Sequence, residues 1–130
     1  MNNAEIEKRT KSVLHSLIYE KGYVCAVDVF LKLGYLTQKD YENWRHGRVP
    51  YLERVCKVNL KKLSLTNRLI RKFAAELKLK GSLTVYNQWG TKGKRRLVFS
   101  KSGTPAIEKL YATHFVDNQR IDEINEMVNE

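Results

Sequence analysis

A chain of 130 residues with 42% hydrophobic content can build one compact domain around one ordinary core, and it is too short for two independent ones. Its longest apolar runs, Val24–Val27 and Val29–Leu31, fall far short of the roughly 20 residues a membrane-spanning helix needs. The polar, mixed-charge start Met1–Thr10 has no secretory apolar stretch, so a soluble, cytoplasmic protein is expected.

The formal charge is +10, and it is segregated along the chain. Residues 1–53 hold 8 Lys/Arg against 7 Asp/Glu, residues 54–101 hold 14 against the single acid Glu76, and residues 102–130 hold 2 against 6. A solvated surface usually interleaves both signs, so a long block with one acid points to a polyanionic partner.

In chain order, residues 5–20 place Ile6, Val13, Leu14, Leu17 and Ile18 on one face at helical spacing, and Lys21-Gly22 supplies the stop. Residues 26–33 repeat the pattern with Val27, Phe30, Leu31 and Leu33 and end at Gly34. Thr37 followed by Asp40 approximates a capping box for a third helix that runs to His46 with Tyr41 and Trp44 on one side. Pro50 fits the first position of a fourth helix reaching Asn59, with Leu52, Val55 and Cys56 inward. Ser64 or Thr66 then opens the clearest helix, whose core stripe Leu69, Ile70, Phe73, Ala74 and Leu77 continues towards Gly81. At 100° per residue Arg68, Arg71 and Ala75 fall opposite that stripe, flanked by Lys72 and Lys78.

Beyond Gly81 the period becomes alternating. Leu83, Val85 and Trp89 face one way, Thr84, Tyr86 and Gln88 the other, and residues 95–100 alternate again around a Gly90–Gly93 loop. This reads as a β-hairpin carrying Lys92, Lys94, Arg95 and Arg96, with Trp89 and Phe99 packing the core and Tyr86 free to stack on a base or to pack. Thr104-Pro105 is a helix start, and residues 105–114 follow with Ile107, Leu110 and Tyr111 inward. Capping explains most of Lys101, Ser102 and Thr104, which could also hold an anion there. From Asp117 a last helix sets Ile121, Ile124 and Val128 among five acids and one cation, Arg120; its stripe can dock on the domain or pair two copies into a homodimer.

The expectation is a mainly helical α+β domain with one hairpin, winged-helix-like over residues 1–116, followed by an acidic C-terminal helix over 117–130. Helix, turn, basic helix and basic hairpin is the order of winged-helix nucleic-acid binders: a cationic helix enters a major groove while the hairpin reaches phosphates. The candidate contacts are Arg68, Arg71, Lys72 and Lys78 on the helix, and Lys92, Lys94, Arg95 and Arg96 on the hairpin. Arg45 and Arg48 join them from the dense run Tyr41–Leu52, YENWRHGRVPYL, which serves equally as a structural corner around Trp44 and Tyr51. The helix pair around Gly34 is a competing, less basic helix-turn-helix.

Asp28-Val29-Phe30, Trp44-Arg45, Gly47-Arg48, Pro50–Glu53, Lys101–Gly103, Ile107-Glu108 and Thr113–Val116 together resemble a family of small bacterial proteins with no established activity. The likeness covers most of residues 13–116. It implies a bacterial, cytoplasmic, free-standing domain and lends no functional residue.

Catalysis is not expected. There is no Gly-rich phosphate loop and no HExxH, and His15, His46 and His114 lie far apart. A two-metal nuclease needs converging carboxylates, and the basic block offers only Glu76. Cys25 and Cys56 sit among apolar neighbours outside any metal-ligand spacing and read as buried thiols, so no metal or cofactor is expected. The leading reading is a double-stranded DNA binder. RNA or ribosome binding, and a protein module for an acidic partner, are the competing ones.

Overall fold

The computed structural model describes residues 2–90 and 95–129. Helix α1, Asn3–Lys21, begins where the Asn2 side chain accepts the Glu5 amide at 2.9 Å, and it ends at Gly22. Gly22 has φ +80°, and a Cβ there would lie 2.5 Å from Ile121, so both the left-handed turn and the close approach require glycine. Strand β1, Tyr23–Val24, leads into α2, Ala26–Leu33, whose apolar positions at helical spacing put Val29 and Phe30 fully inside. A four-residue turn containing buried Tyr35 and Leu36 connects α2 to α3, Gln38–Arg45, with Thr37 Oγ1 accepting the Asp40 amide at 3.1 Å.

The fourth helix expected from Pro50 to Asn59 is replaced by a single 3-10 turn, Leu52–Val55. The amides of Leu52 and Glu53 donate to the carbonyls of Val98 and Phe99, and Lys57 N donates to Tyr35 O. Tertiary pairing thus claims the backbone that an α-helix would use. Helix α4, Leu60–Glu76, starts one turn earlier than expected, because Asn59 and not Ser64 or Thr66 caps it, accepting from Lys62 N at 2.9 Å. Thr66 is interior and bonds back to Lys62 O. The helix stops at Leu77, before Lys78 adopts φ +56°, so Leu77 leaves the core stripe and stays exposed.

Strand β2, Lys80–Leu83, pairs antiparallel with β3, Thr113–Val116, and β3 pairs with β1, giving the order β1-β3-β2. The β3 strand takes over the end of the helix expected over 105–114; α5 is Pro105–Ala112, with Pro105 in its first turn. The expected hairpin survives as a short ladder, Leu97 N to Tyr86 O and Gln88 N to Arg95 O around the Asn87–Arg96 bridge. Its phase is inverted: Tyr86 is 7% exposed and faces the core, while Leu83, Val85 and Trp89 face outward. Helix α6, Asn118–Asn129, packs on α1, where Arg120 donates twice to Tyr19 O and lies over the Tyr19 ring.

The core joins α1, α2 and α4 to an aromatic column. Buried Trp44 donates Nε1–H to Val98 O at 2.8 Å and packs on Phe99, which stacks on Tyr111. Cys25 is buried and Cys56 half-buried, and burial pushes both thiols up to about 12. Among the described residues no helix is long and apolar enough to cross a membrane, and no His/Cys/Asp/Glu group could hold a metal ion.

Candidate nucleic-acid interface

Helix α4 buries Leu63, Thr66, Asn67, Leu69, Ile70, Phe73 and Ala74, which leaves Lys61, Arg68, Arg71, Lys72 and Ala75 exposed as the spacing required. Arg68 lies near the middle of that face. Lys72 is on the flank towards α1 and reaches Glu7 at 3.5 Å, an exposed pair of little energetic consequence. Lys78 is exposed in the left-handed turn that ends the helix.

Among the described residues, Lys57 with Asp40 and Lys72 with Glu7 are the ion pairs made by the cations of residues 54–101. Arg68, Arg71, Lys78, Arg95, Arg96 and Lys101 are exposed and reach no carboxylate within 4 Å among the described residues. The charge segregation in the sequence is therefore carried onto the surface and not neutralised by folding.

The second cluster is the junction of α3 with the hairpin. Trp89 N donates to Arg45 O at 2.7 Å, and the His46 ring meets Trp89 edge-on at 5.6 Å. Gly47, at φ +75°, lets the Gln88 side chain in; a Cβ would lie 2.5 Å from it. Arg95 and Arg96 line the same small cleft as Gly47 and Pro50. Arg48 is exposed and donates to Asn43 Oδ1 at 3.0 Å.

Arg45 is also engaged within the fold. Its guanidinium lies 4.6 Å from the Trp89 ring and 5.1 Å from the Tyr86 ring, so it staples the hairpin to α3 through cation–π contacts. Its Nε is buried without a partner among the described residues. Lys92 and Lys94 lie outside the described residues.

A third feature was not legible in the sequence. A cleft of about 690 Å³ lies between α4 and α5, with Arg68, Arg71 and Lys101 at its rim and Leu60, Ile107 and Leu110 among its walls. Leu60, Ser64, Asn67 and Arg71 recur at helical spacing and would have marked this face of α4. Opening the helix at Ser64 hid its first turn. Residues 99 and 100 are held beside the rim by Glu108, which accepts from Phe99 N, Ser100 N and Ser100 Oγ at 2.7 to 2.9 Å, and Lys101 N donates to Glu53 Oε1 at 2.9 Å. Ser102 Oγ is engaged by Thr104, so the sequence's anion-site candidate is built as a turn.

Buried beneath the hairpin, the Tyr86 hydroxyl meets His114 Nε2 at 2.7 Å, and His114 stacks on Tyr23 at 5.3 Å. Burial holds the His114 imidazole below its ordinary range and pushes the Tyr86 hydroxyl up. Comparison with family models, with curated proteins and with solved structures returned no match.

Proposed function

We propose that the protein binds double-stranded nucleic acid, DNA ahead of RNA, as a winged-helix-type domain. The observation that carries the reading is the exposed, unneutralised cation set of residues 54–101, centred on Arg68 and Arg71 of α4 and continued by Arg95, Arg96 and Lys101. Each phosphate that such a set neutralises releases counterions, so affinity comes chiefly from charge. The strand order β1-β3-β2 is the feature of the fold that favours the reading; three α-helices and a 3-10 turn lie between β1 and β2, and α5 lies between β2 and β3.

Two helices compete for the groove. The α2–α3 pair has helix-turn-helix form, but α3 carries Asp40 and Glu42 beside Lys39 and spends Arg45 on the hairpin staple. Helix α4 has Glu76 as its only acid, at its last residue, and about 25 Å of length, which favours it as the phosphate-facing element. Arg48, Arg95 and Arg96 at the α3–hairpin junction serve as backbone contacts, as do Lys92 and Lys94. A cytoplasmic location belongs to the same proposal.

The test is a fluorescence titration of the full chain against duplex DNA, duplex RNA and single strands of equal length. Duplex DNA binding tightest, and weakening steeply with salt, supports the reading. Equal or tighter binding to structured RNA transfers it to an RNA-binding protein, and no binding to any of them at low salt refutes it.

A further inference from the structure

We propose that the cleft between α4 and α5 binds a nucleotide unit: a phosphate-bearing ligand with a flat apolar ring and hydrogen-bonding groups along one edge. The cleft of about 690 Å³ falls within the span of small-ligand sites, roughly 300 to 1,000 Å³. Three chemistries meet in it.

The walls are apolar and in contact with solvent: Leu60 is 60% exposed and Ile107 37%, with Leu110 beside them. The rim is cationic, with Arg68, Arg71 and Lys101 reaching no carboxylate among the described residues. Glu53 lines the cleft too, but its two oxygens already accept from Lys101 N at 2.9 Å and from the Tyr111 hydroxyl at 2.6 Å. The third is Asn67, which lines the cleft, is only 7% exposed, and makes no side-chain hydrogen bond among the described residues. The Asn67 amide atoms are not among the fully buried unpartnered ones, so what little of the residue is exposed lets its amide meet the cleft, where a ligand's donor and acceptor can replace water.

The amide decides between ligand classes. It offers a donor and an acceptor side by side, the pattern that asparagine uses on the edge of a nucleobase. A fatty carboxylate would suit the walls and the rim but leave Asn67 unmatched, and inorganic phosphate would use the rim alone. A nucleotide uses all three. Asn67 and Arg71 are one helical turn apart, roughly 5 to 6 Å between their Cβ atoms, so a base edge and a phosphate on one small molecule can reach both.

The site stands independently of duplex binding, although it draws on the same Arg68 and Arg71. Its nucleotide is either free or an unpaired residue of a strand, and both present the same chemistry.

The full chain is titrated by NMR and calorimetry with each of the four nucleoside monophosphates, with inorganic phosphate, with decanoate, and with short single strands. The expected result is that at least one monophosphate binds and moves the Asn67 side-chain amide signals, with phosphate and decanoate at least about tenfold weaker. Asn67→Leu, which replaces an unpartnered polar group and so spares the fold, loses at least about tenfold of that affinity, as does Arg71→Ala. Should Asn67→Leu fail to fold, Arg71→Ala and the parent's amide signals carry the test. Single strands binding more tightly than any monophosphate identify the source as an unpaired base, and the reverse identifies a free nucleotide.

Decanoate binding as tightly as the nucleotides, or an unchanged affinity in the folded Asn67→Leu protein, overturns the proposal. Duplex binding measured alongside separates the two readings. Duplex bound with no mononucleotide or single strand bound removes the pocket alone, and mononucleotide bound with no duplex bound removes the duplex reading alone.

Discussion

Removing the Glu108 carboxylate tests how the rim of the α4–α5 cleft is held. Glu108 sits in the first turn of α5 and accepts Phe99 N at 2.9 Å, Ser100 N at 2.8 Å and Ser100 Oγ at 2.7 Å. Phe99 and Ser100 are buried, so Glu108→Ala leaves two backbone N–H groups without an acceptor, each costing about 1 to 3 kcal/mol. The serine hydroxyl can turn elsewhere, and Glu108 itself is only half-buried, so water recovers part of the loss. The expected destabilisation is about 2 to 4 kcal/mol, a large share of the roughly 5 to 15 kcal/mol typical of a domain. Glu108→Gln keeps one acceptor oxygen and should lose about half as much. Urea unfolding followed by tryptophan fluorescence measures both. A Glu108→Ala protein within about 0.5 kcal/mol of the parent would show that these bonds do not hold the segment, and the reasoning about the cleft rim would fall with them.

Three further outcomes are expected. Replacing Lys92, Lys94, Arg95 and Arg96 together by Ala should lower the salt dependence of duplex binding and weaken all sequences alike; a loss confined to one sequence would mean base reading by the hairpin. His114 has its folded pKa depressed by burial below 6.5, so its contribution to stability is complete above about pH 6.5 and is lost as pH falls through the folded value. Unfolding measured from about pH 7.5 to about 5 should therefore show a decline in the parent that His114→Gln lessens, and equal slopes would rule the coupling out. Truncation after Val116 removes α6, whose Ile121 and Ile124 are half-buried and whose Val128 is 79% exposed, so the domain should stay folded. If the acidic helix masks the basic face, the truncated protein binds duplex more tightly at low salt, with the gap closing as salt rises; equal affinity throughout rules masking out, and loss of a dimer assigns the stripe to self-association.

Long periodic segments were legible in the sequence, and tertiary pairing was not. Helices α1 and α2 follow from apolar residues at helical spacing with Gly22 and Gly34 as stops, and Thr37 marks the start of α3. The Leu52–Val55 turn and β3 escaped because their backbone partners lie far away in sequence: Val98 and Phe99 for the turn, Tyr23 and Lys80 for the strand end. The hairpin's phase failed for a local reason. Trp89 is the larger apolar residue, yet Tyr86 has the neighbours that suit burial, His114 for its hydroxyl and Trp44 and Phe99 for its ring. That Tyr86 and Trp89 flank Arg45 was not legible, because they lie far from it in sequence. The exposure of Arg68, Arg71 and Lys72 was legible, since it follows from the angle opposite a strong core stripe.

The most direct measurement is the slope of duplex-DNA affinity against salt concentration, for the parent and for the protein with Arg68, Arg71 and Lys72 replaced together by Ala. All three side chains are exposed and only Lys72 touches a carboxylate among the described residues, so the variant should melt as the parent does. Each phosphate contact contributes about 0.9 to the logarithmic slope, so the variant should show a slope shallower by about 2 to 3 and bind at least about tenfold more weakly near physiological salt. A folded variant with the parent's slope and affinity would contradict the assignment of α4 to the nucleic-acid face.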